Sequence, residues 1–64
     1  MMWLTLTQHD GQMIAINFDN VKLLLPTEEG TDISFTDGTG SYVRETFRDV
    51  TKRLENLRNF ARGA

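Results

Sequence analysis

Apolar side chains occupy every second position in two segments near the start of the chain, residues 2–7 and 12–17. A period of two is typical of β-strands that bury one face. The Asp10–Gly11 dipeptide lies between the two segments and is a strong hairpin signal. We therefore expect a β-hairpin whose inward-facing side chains are Met2, Leu4, Leu6, Ile14 and Ile16.

Three more strands are predicted in the middle of the chain. The third covers residues 21–25 and ends at Pro26, because proline lacks the N–H group that a strand ladder needs. The fourth covers residues 31–36, and a glycine-containing turn leads into a short fifth strand at 41–44. Alternation along the third and fourth strands predicts the inward-facing side chains Val21, Leu23, Leu25, Ile33 and Phe35.

After residue 45 the hydrophobic period lengthens to between three and four, which predicts an amphipathic helix over residues 46–62. Thr46 and Asp49 have the spacing of a capping box, and Gly63 is typical of the position just beyond a helix. Asp49 also precedes Arg53 by four residues, in the favourable order for an ion pair. The predicted apolar stripe of the helix consists of Phe47, Val50, Leu54, Leu57 and Ala61.

These elements predict a single α+β domain over residues 1–64, mostly β, in which an antiparallel meander of about five strands is followed by one C-terminal helix. The helix covers one face of the sheet. The other face is then too apolar to remain exposed on so small a chain, which predicts a homo-oligomer. Its exposed side chains are Trp3, Met13, Ala15, Leu24 and Tyr42, and the predicted oligomer contacts are Trp3, Met13, Leu24 and Tyr42.

Composition excludes several kinds of site. The 64 residues include no cysteine and one histidine, so neither a disulfide nor a metal site with the usual ligand spacing is expected, and no cofactor is expected. No apolar run approaches the roughly 20 residues of a membrane helix, and the start of the chain lacks the pattern of a signal peptide. We therefore expect a cytoplasmic protein without membrane insertion.

Charge is distributed unevenly along the chain. Residues 1–43 carry six carboxylates against one lysine, whereas residues 44–64 carry six cations against three carboxylates. Arg44, Arg48 and Lys52 have the spacing of one helical face, where cations can hold the phosphates of a nucleotide or nucleic acid. Such a row can equally be a solvated face whose cations pair with neighbouring carboxylates.

Two aromatic residues add to this candidate site. Trp3 and Tyr42 can stack on a base, or they can be contacts between subunits. The candidate ligand-binding residues are therefore Arg44, Arg48, Trp3 and Tyr42.

Several short motifs occur in a characteristic order along residues 3–57. They are Leu4-Thr5, Gly11, Ile14, Ile16-Asn17, Val21, Pro26, Ile33, Asp37-Gly38, Val43-Arg44-Glu45-Thr46 and Val50. Together with the order of elements, they resemble the flagellar and swarming-motility family of FlbD or SwrD type and similar small phage and prophage proteins. This resemblance implies the same fold and a non-enzymatic role, either as a flagellar-motility accessory protein or as a phage-encoded accessory protein.

A weaker resemblance is to the carbon storage regulator, through the Leu-Thr pair of the first strand and the segment Val43-Arg44-Glu45 before the helix. It implies a small RNA-binding regulator. The sequence pI of about 5.1 argues against that role, since dedicated nucleic-acid binders are usually basic.

Catalytic chemistry is not expected. His9 is the only histidine that could act as a base, and it lies in a predicted turn rather than a pocket. The acidic pairs Glu28–Glu29 and Asp10/Asp19 lie in predicted loops, without the burial that a carboxylate acid/base site needs. The leading hypothesis is a non-catalytic, self-associating binding protein of bacterial or phage origin. It would capture a protein partner or a small anionic ligand, as does an inhibitor that sequesters a host defence factor or a nucleotide signal. The alternatives are the flagellar accessory protein and the small RNA-binding regulator.

Overall fold

The computed structural model describes residues 2–63, with side chains for residues 2–59, and shows five antiparallel strands followed by one helix. The predicted α+β, mostly β fold is confirmed. Four of the five strands both begin and end within one residue of the predicted bounds, and the third strand begins at the predicted residue but ends two residues later. The elements are β1 (Trp3–Thr7), β2 (Met13–Asn17), β3 (Val21–Thr27), β4 (Gly30–Phe35), β5 (Gly40–Val43) and α1 (Phe47–Gly63).

The strands form two sheets rather than one continuous meander. β1 pairs with β2, and β3, β4 and β5 form a second antiparallel sheet in that order. A short 3₁₀ helix, Phe18–Asn20, lies between the two sheets in the chain. The Asn17 side chain caps this helix by accepting the Asp19 N–H at 3.0 Å. A bridge between Gln8 and Val43 then brings the end of β1 against the end of β5.

The core lies between the two sheets and the helix. Its buried hydrophobic side chains come from every layer, since both sheets and α1 contribute to it, and Val50 of the helix is fully buried. Burying a side chain of this size stabilises the fold by about 1.5–3 kcal/mol. The core consists of Leu6, Ile16, Ile33, Val43 and Val50, against which Leu4, Ile14, Phe18, Val21, Leu24, Phe35 and Leu54 pack.

The predicted orientation of β3 is wrong beyond its first residue. Val21 packs against the core as expected, but Leu24 also does so, whereas Leu23 and Leu25 are exposed. The cause is a shift in register between Val21 and Leu23 against β4, which reverses the faces of the following residues. Leu24 is therefore not part of an outer apolar face.

Pro26 does not end β3, contrary to the prediction. The strand continues to Thr27, and Pro26 lies opposite Thr31 of β4. β3 is the outermost strand of its sheet, and none of the described strands pairs with its outer edge. Proline is tolerated there because the N–H group that it lacks is not needed for a ladder bond on that side.

The ends of the helix differ in detail from the prediction. The Thr46 hydroxyl caps the helix by accepting the Asp49 N–H at 3.1 Å, but the Asp49 carboxylate binds Arg53 instead of completing a capping box. Phe47, predicted on the buried stripe, is exposed. Gly63 lies within the helix rather than after it, and the predicted packing of Ala61 falls outside the described side chains.

Candidate functional site

The exposed apolar side chains of the strands form two separate patches, one on each sheet. We call the first the hairpin patch, which consists of Trp3, Met13 and Ala15 on the outer face of β1 and β2. The second, the triple-strand patch, consists of Leu23 and Leu25 of β3 and Tyr42 of β5 on the outer face of the sheet, where Asp32 of β4 lies between Leu25 and Tyr42. The predicted exposure of Trp3, Met13 and Tyr42 is confirmed. Leu24, also predicted on the outer face, packs against the core, and its neighbours Leu23 and Leu25 are exposed instead.

The two predicted stacking residues line different cavities. Trp3 borders an open cleft of about 640 Å³ between β2 and the turn joining β4 to β5. Tyr42 borders a second hollow with Thr27 and Glu28, and its ring meets that of His9 edge to face, with centroids 6.2 Å apart. The structure thus does not bring Trp3 and Tyr42 together as one stacking platform.

Arg44 holds the β1–β2 turn in place. Its guanidinium donates to the His9 carbonyl oxygen at 2.7 Å, and its backbone N–H donates to the Thr7 carbonyl oxygen at 2.7 Å. Gly11 lies close by, because a β-carbon there would be 3.7 Å from the guanidinium. A charged donor bound to a carbonyl in this way ties the hairpin to the end of β5.

The predicted row of three cations on one helical face is wrong. Arg44 precedes the capping residue Thr46 and is not helical, so that only Arg48 and Lys52 remain on the helix at that spacing. Both are exposed. Arg48 lies in the first turn of α1, where backbone N–H groups also face outward.

Glu45 is the residue whose importance the sequence did not reveal. The Thr7 N–H donates to its two carboxylate oxygens at 2.9 and 3.1 Å, and the Thr7 hydroxyl donates to the second oxygen at 3.0 Å. The fully buried Thr31 donates its hydroxyl to the Glu45 carbonyl oxygen at 2.8 Å. Glu45 therefore joins β1, β4 and the start of the helix.

The environment of Glu45 favours its ionised form. Partial burial raises the pKa of this carboxyl, but the hydrogen bonds of the Thr7 and Glu45 backbone, the Thr7 hydroxyl and the charge of Arg53 outweigh that effect. The pKa of Glu45 consequently lies below its ordinary value. The carboxylate therefore links the two sheets through its hydrogen bonds to Thr7 and is not a proton donor at neutral pH.

The cleft beside Trp3 exposes the outer edge of β2. The Gln8 N–H donates to the Gln12 carbonyl oxygen, so the ladder alternation directs the backbone groups of Leu6 and Leu4 towards β2 as well. On β2 the backbone N–H and C=O groups of every second residue therefore point away from β1. Within residues 2–63 no second strand pairs with this edge. The backbone groups that face the cleft are those of Met13, Ala15 and Asn17.

The described side chains contain no group of three or more His, Asp or Glu residues arranged to hold a metal ion. Nor does the described chain contain a helix long and apolar enough to cross a membrane.

Comparisons with protein-family models, with curated proteins and with solved structures give no match to this chain. The resemblance to the flagellar and phage proteins and the weaker resemblance to the carbon storage regulator therefore stay predictions.

Proposed function

We propose that this chain is a small, non-catalytic, self-associating binding protein. The observation that carries the proposal is the amount of apolar surface outside the core. Among residues 2–59, six large hydrophobic side chains are exposed and five hydrophobic side chains are buried. Contiguous exposed apolar groups on a soluble domain mark contacts with other molecules. The six are Trp3, Met13, Leu23, Leu25, Tyr42 and Phe47.

A protein surface suits these patches better than a small anionic ligand does. Arg44, the cation nearest to Tyr42 in sequence, is engaged with the His9 carbonyl. The hairpin patch contains no charged side chain, and the α1 cation that reaches the hairpin, Arg53, is engaged with the Thr5 carbonyl oxygen and with Asp49. Interfaces between proteins are enriched in Trp, Tyr and Met at their centres. We therefore propose the two patches, rather than a phosphate site, as the principal contacts.

The first patch would hold a second copy of the chain and the second a protein partner. A phage-encoded inhibitor that sequesters a host protein fits this division, in line with the resemblance to small phage proteins. The alternative, capture of an anion, depends on Arg48 and the first turn of α1. Arg48 is exposed to solvent, where screening weakens its hold on an anion.

Sedimentation velocity of the purified chain between about 1 and 500 µM tests self-association, since weak and standard interfaces span this range of affinities. We expect the sedimentation coefficient to rise with concentration. A monomer at every concentration would contradict the proposal. Native mass spectrometry of the same samples reports the stoichiometry and any co-purified molecule. A bound nucleotide in that spectrum would favour the anion-binding alternative.

A further inference from the structure

The two outer strands of the molecule differ in how they are protected against pairing with another chain. The edge of β3 carries three features that discourage pairing: the exposed Lys22, the shift in register after Val21, and Pro26. β2 carries none of them. Its residues Met13–Asn17 pair with β1 without a shift and include neither proline nor charge. An unprotected, regular edge of this kind pairs readily with another strand.

We propose that the β2 edge pairs antiparallel with the β2 edge of a second copy, about a two-fold axis at Ala15. This inference rests on the proposed self-association and identifies the surface that produces it. The pairing joins the two hairpins into one four-stranded sheet in which β1 of each copy is outermost.

The sequence of β2 is self-complementary in this arrangement. The smallest side chain of the strand, Ala15, meets its own counterpart on the axis, and Met13 lies opposite Asn17 of the second copy. Because the strand is uncharged, no like charges face each other. The backbone groups of Met13, Ala15 and Asn17, which face the cleft, are the ones that this register satisfies.

The hairpin patch becomes continuous across the joined sheet. Trp3 lies opposite Asn17 within its own hairpin, and Asn17 lies opposite Met13 of the second copy. Trp3 and that Met13 therefore occupy one row on the same face, on either side of a short polar residue. The two positions lie two strand spacings, about 9.6 Å, apart, so the long side chains of Trp3 and Met13 have to extend over Asn17 to meet. A thioether about 5 Å from an aromatic ring makes a favourable contact.

The area required by a stable dimer supports the inclusion of these side chains. A standard interface buries about 800 Å² of each partner, roughly one sixth of the 4657 Å² of accessible surface of this chain. Five residues of backbone edge alone do not supply that area. The adjoining Trp3, Met13 and Ala15 extend the contact over one side of the hairpin, which only a partner with a matching apolar face can cover.

Single-cysteine variants test this register directly, because the natural chain has no cysteine. At the proposed axis the two Ala15 Cα atoms lie about 5.5 Å apart, within the range that a disulfide spans. We expect Ala15→Cys to form a cross-linked dimer on mild oxidation. Thr5→Cys is the matched control, since Thr5 is exposed on the same face but lies about 14 Å from its counterpart in the dimer.

Met13→Cys is the control for register. Two copies of Met13 would lie about 14 Å apart along the paired strands and should not cross-link. Equal cross-linking of all three variants would overturn the proposed register. Preferential cross-linking of Met13→Cys would place the axis elsewhere and would overturn it as well.

Sedimentation of two lysine variants separates this inference from the proposed function. Ala15→Lys places like charges at the axis on an exposed position, and we expect it to raise the dissociation constant by at least about tenfold. Leu23→Lys, on the triple-strand patch, should leave it unchanged. Self-association that persists in Ala15→Lys but is lost in Leu23→Lys would overturn the β2 pairing while leaving the proposed function intact. A monomeric wild type would overturn both.

Discussion

The three-stranded sheet and the two-stranded hairpin are built from similar alternating segments but are stabilised in different ways. Each region contributes two of the five buried core residues, Ile33 and Val43 from the three-stranded sheet and Leu6 and Ile16 from the hairpin. The three-stranded sheet in addition packs against α1 through β3 and β4. The hairpin is tied to it at one end through Thr7, Gln8 and His9, and its outer strand is open. Because a two-stranded hairpin alone is at most marginally stable in water, its order depends on these ties and on the packing of Leu6 and Ile16 in the core.

The largest loss of stability is expected from a substitution at Gly30, where the two hairpins of the larger sheet meet. A β-carbon at Gly30 would lie 1.9 Å from the Val43 carbonyl oxygen, a contact that requires the backbone to move. We expect Gly30→Ala to cost about 3 kcal/mol or more in the free energy of unfolding, which is much of the margin of a chain this size.

Gly38→Ala is the matched control for that substitution. Gly38 also has a positive φ, of 92°, but no atom lies within 4 Å of its added β-carbon. We expect a cost of about 1 kcal/mol from the backbone conformation alone. Urea denaturation followed by circular dichroism measures both. Equal losses in the two variants would show that the approach of β4 to β5 is looser than described.

Packing of the helix against the three-stranded sheet gives the second effect. Leu54 packs against the core while partly exposed, and we expect Leu54→Ala to lower the free energy of unfolding by about 2 kcal/mol. Glu55→Ala, on the exposed side of the same helical turn, should change it little. An unchanged melting temperature for Leu54→Ala would mean that α1 is not part of the folded unit.

Loss of the hydrogen bonds between Glu45 and Thr7 should destabilise the hairpin more than the larger sheet. Glu45→Gln keeps the shape of the side chain but removes the charge that accepts the Thr7 N–H and hydroxyl, and we expect a loss of about 1–2 kcal/mol at pH 7. Glu55→Gln, at an exposed position, is the matched control.

The Glu45 contribution depends on pH with a definite sign. Since the pKa of Glu45 is lowered in the folded chain, its stabilisation is complete above the unfolded pKa and is lost as the pH falls through the folded value. The stability difference between wild type and Glu45→Gln should therefore shrink below about pH 5. A difference that stays constant down to pH 3 would contradict the role of the charge.

A smaller effect distinguishes the two arginines near the start of the helix. Arg44→Ala removes the bond to the His9 carbonyl and should cost about 1 kcal/mol, because the site is exposed. Arg48→Ala should leave the melting temperature unchanged. If the anion-binding alternative were right, Arg48→Ala would instead weaken the binding of inorganic phosphate or a nucleotide in isothermal titration calorimetry, without any change in stability.

Much of the fold could be predicted from the sequence, because alternation and turn residues act locally. The strand bounds and the burial of Ile33 and Val50 follow from those patterns. The orientation of β3 could not, since Leu23, Leu24 and Leu25 are all apolar and the alternation does not reveal where the register shifts. A bulge beside a run of leucines depends on how the strand packs against β4.

The candidate site was harder to predict because it depends on contacts between distant residues. The bond from Thr7 to Glu45 spans 38 positions and leaves no local pattern. The position of Arg44 outside the helix, by contrast, follows from the sequence, because Thr46 has the pattern of the capping residue and Arg44 precedes it. The separation of Trp3 from Tyr42 followed from the division into two sheets, which the sequence did not indicate.

Amide hydrogen exchange by NMR at two protein concentrations tests the pairing of β2 most directly. The Ile14 and Ile16 amides bond to β1 and should be protected at both concentrations, whereas the Ala15 amide faces the open edge. We predict that the Ala15 amide exchanges rapidly in dilute samples and becomes protected as the protein associates, with that of Met13 following it. An Ala15 amide that stays unprotected in a sample shown by sedimentation to be associated would contradict the account.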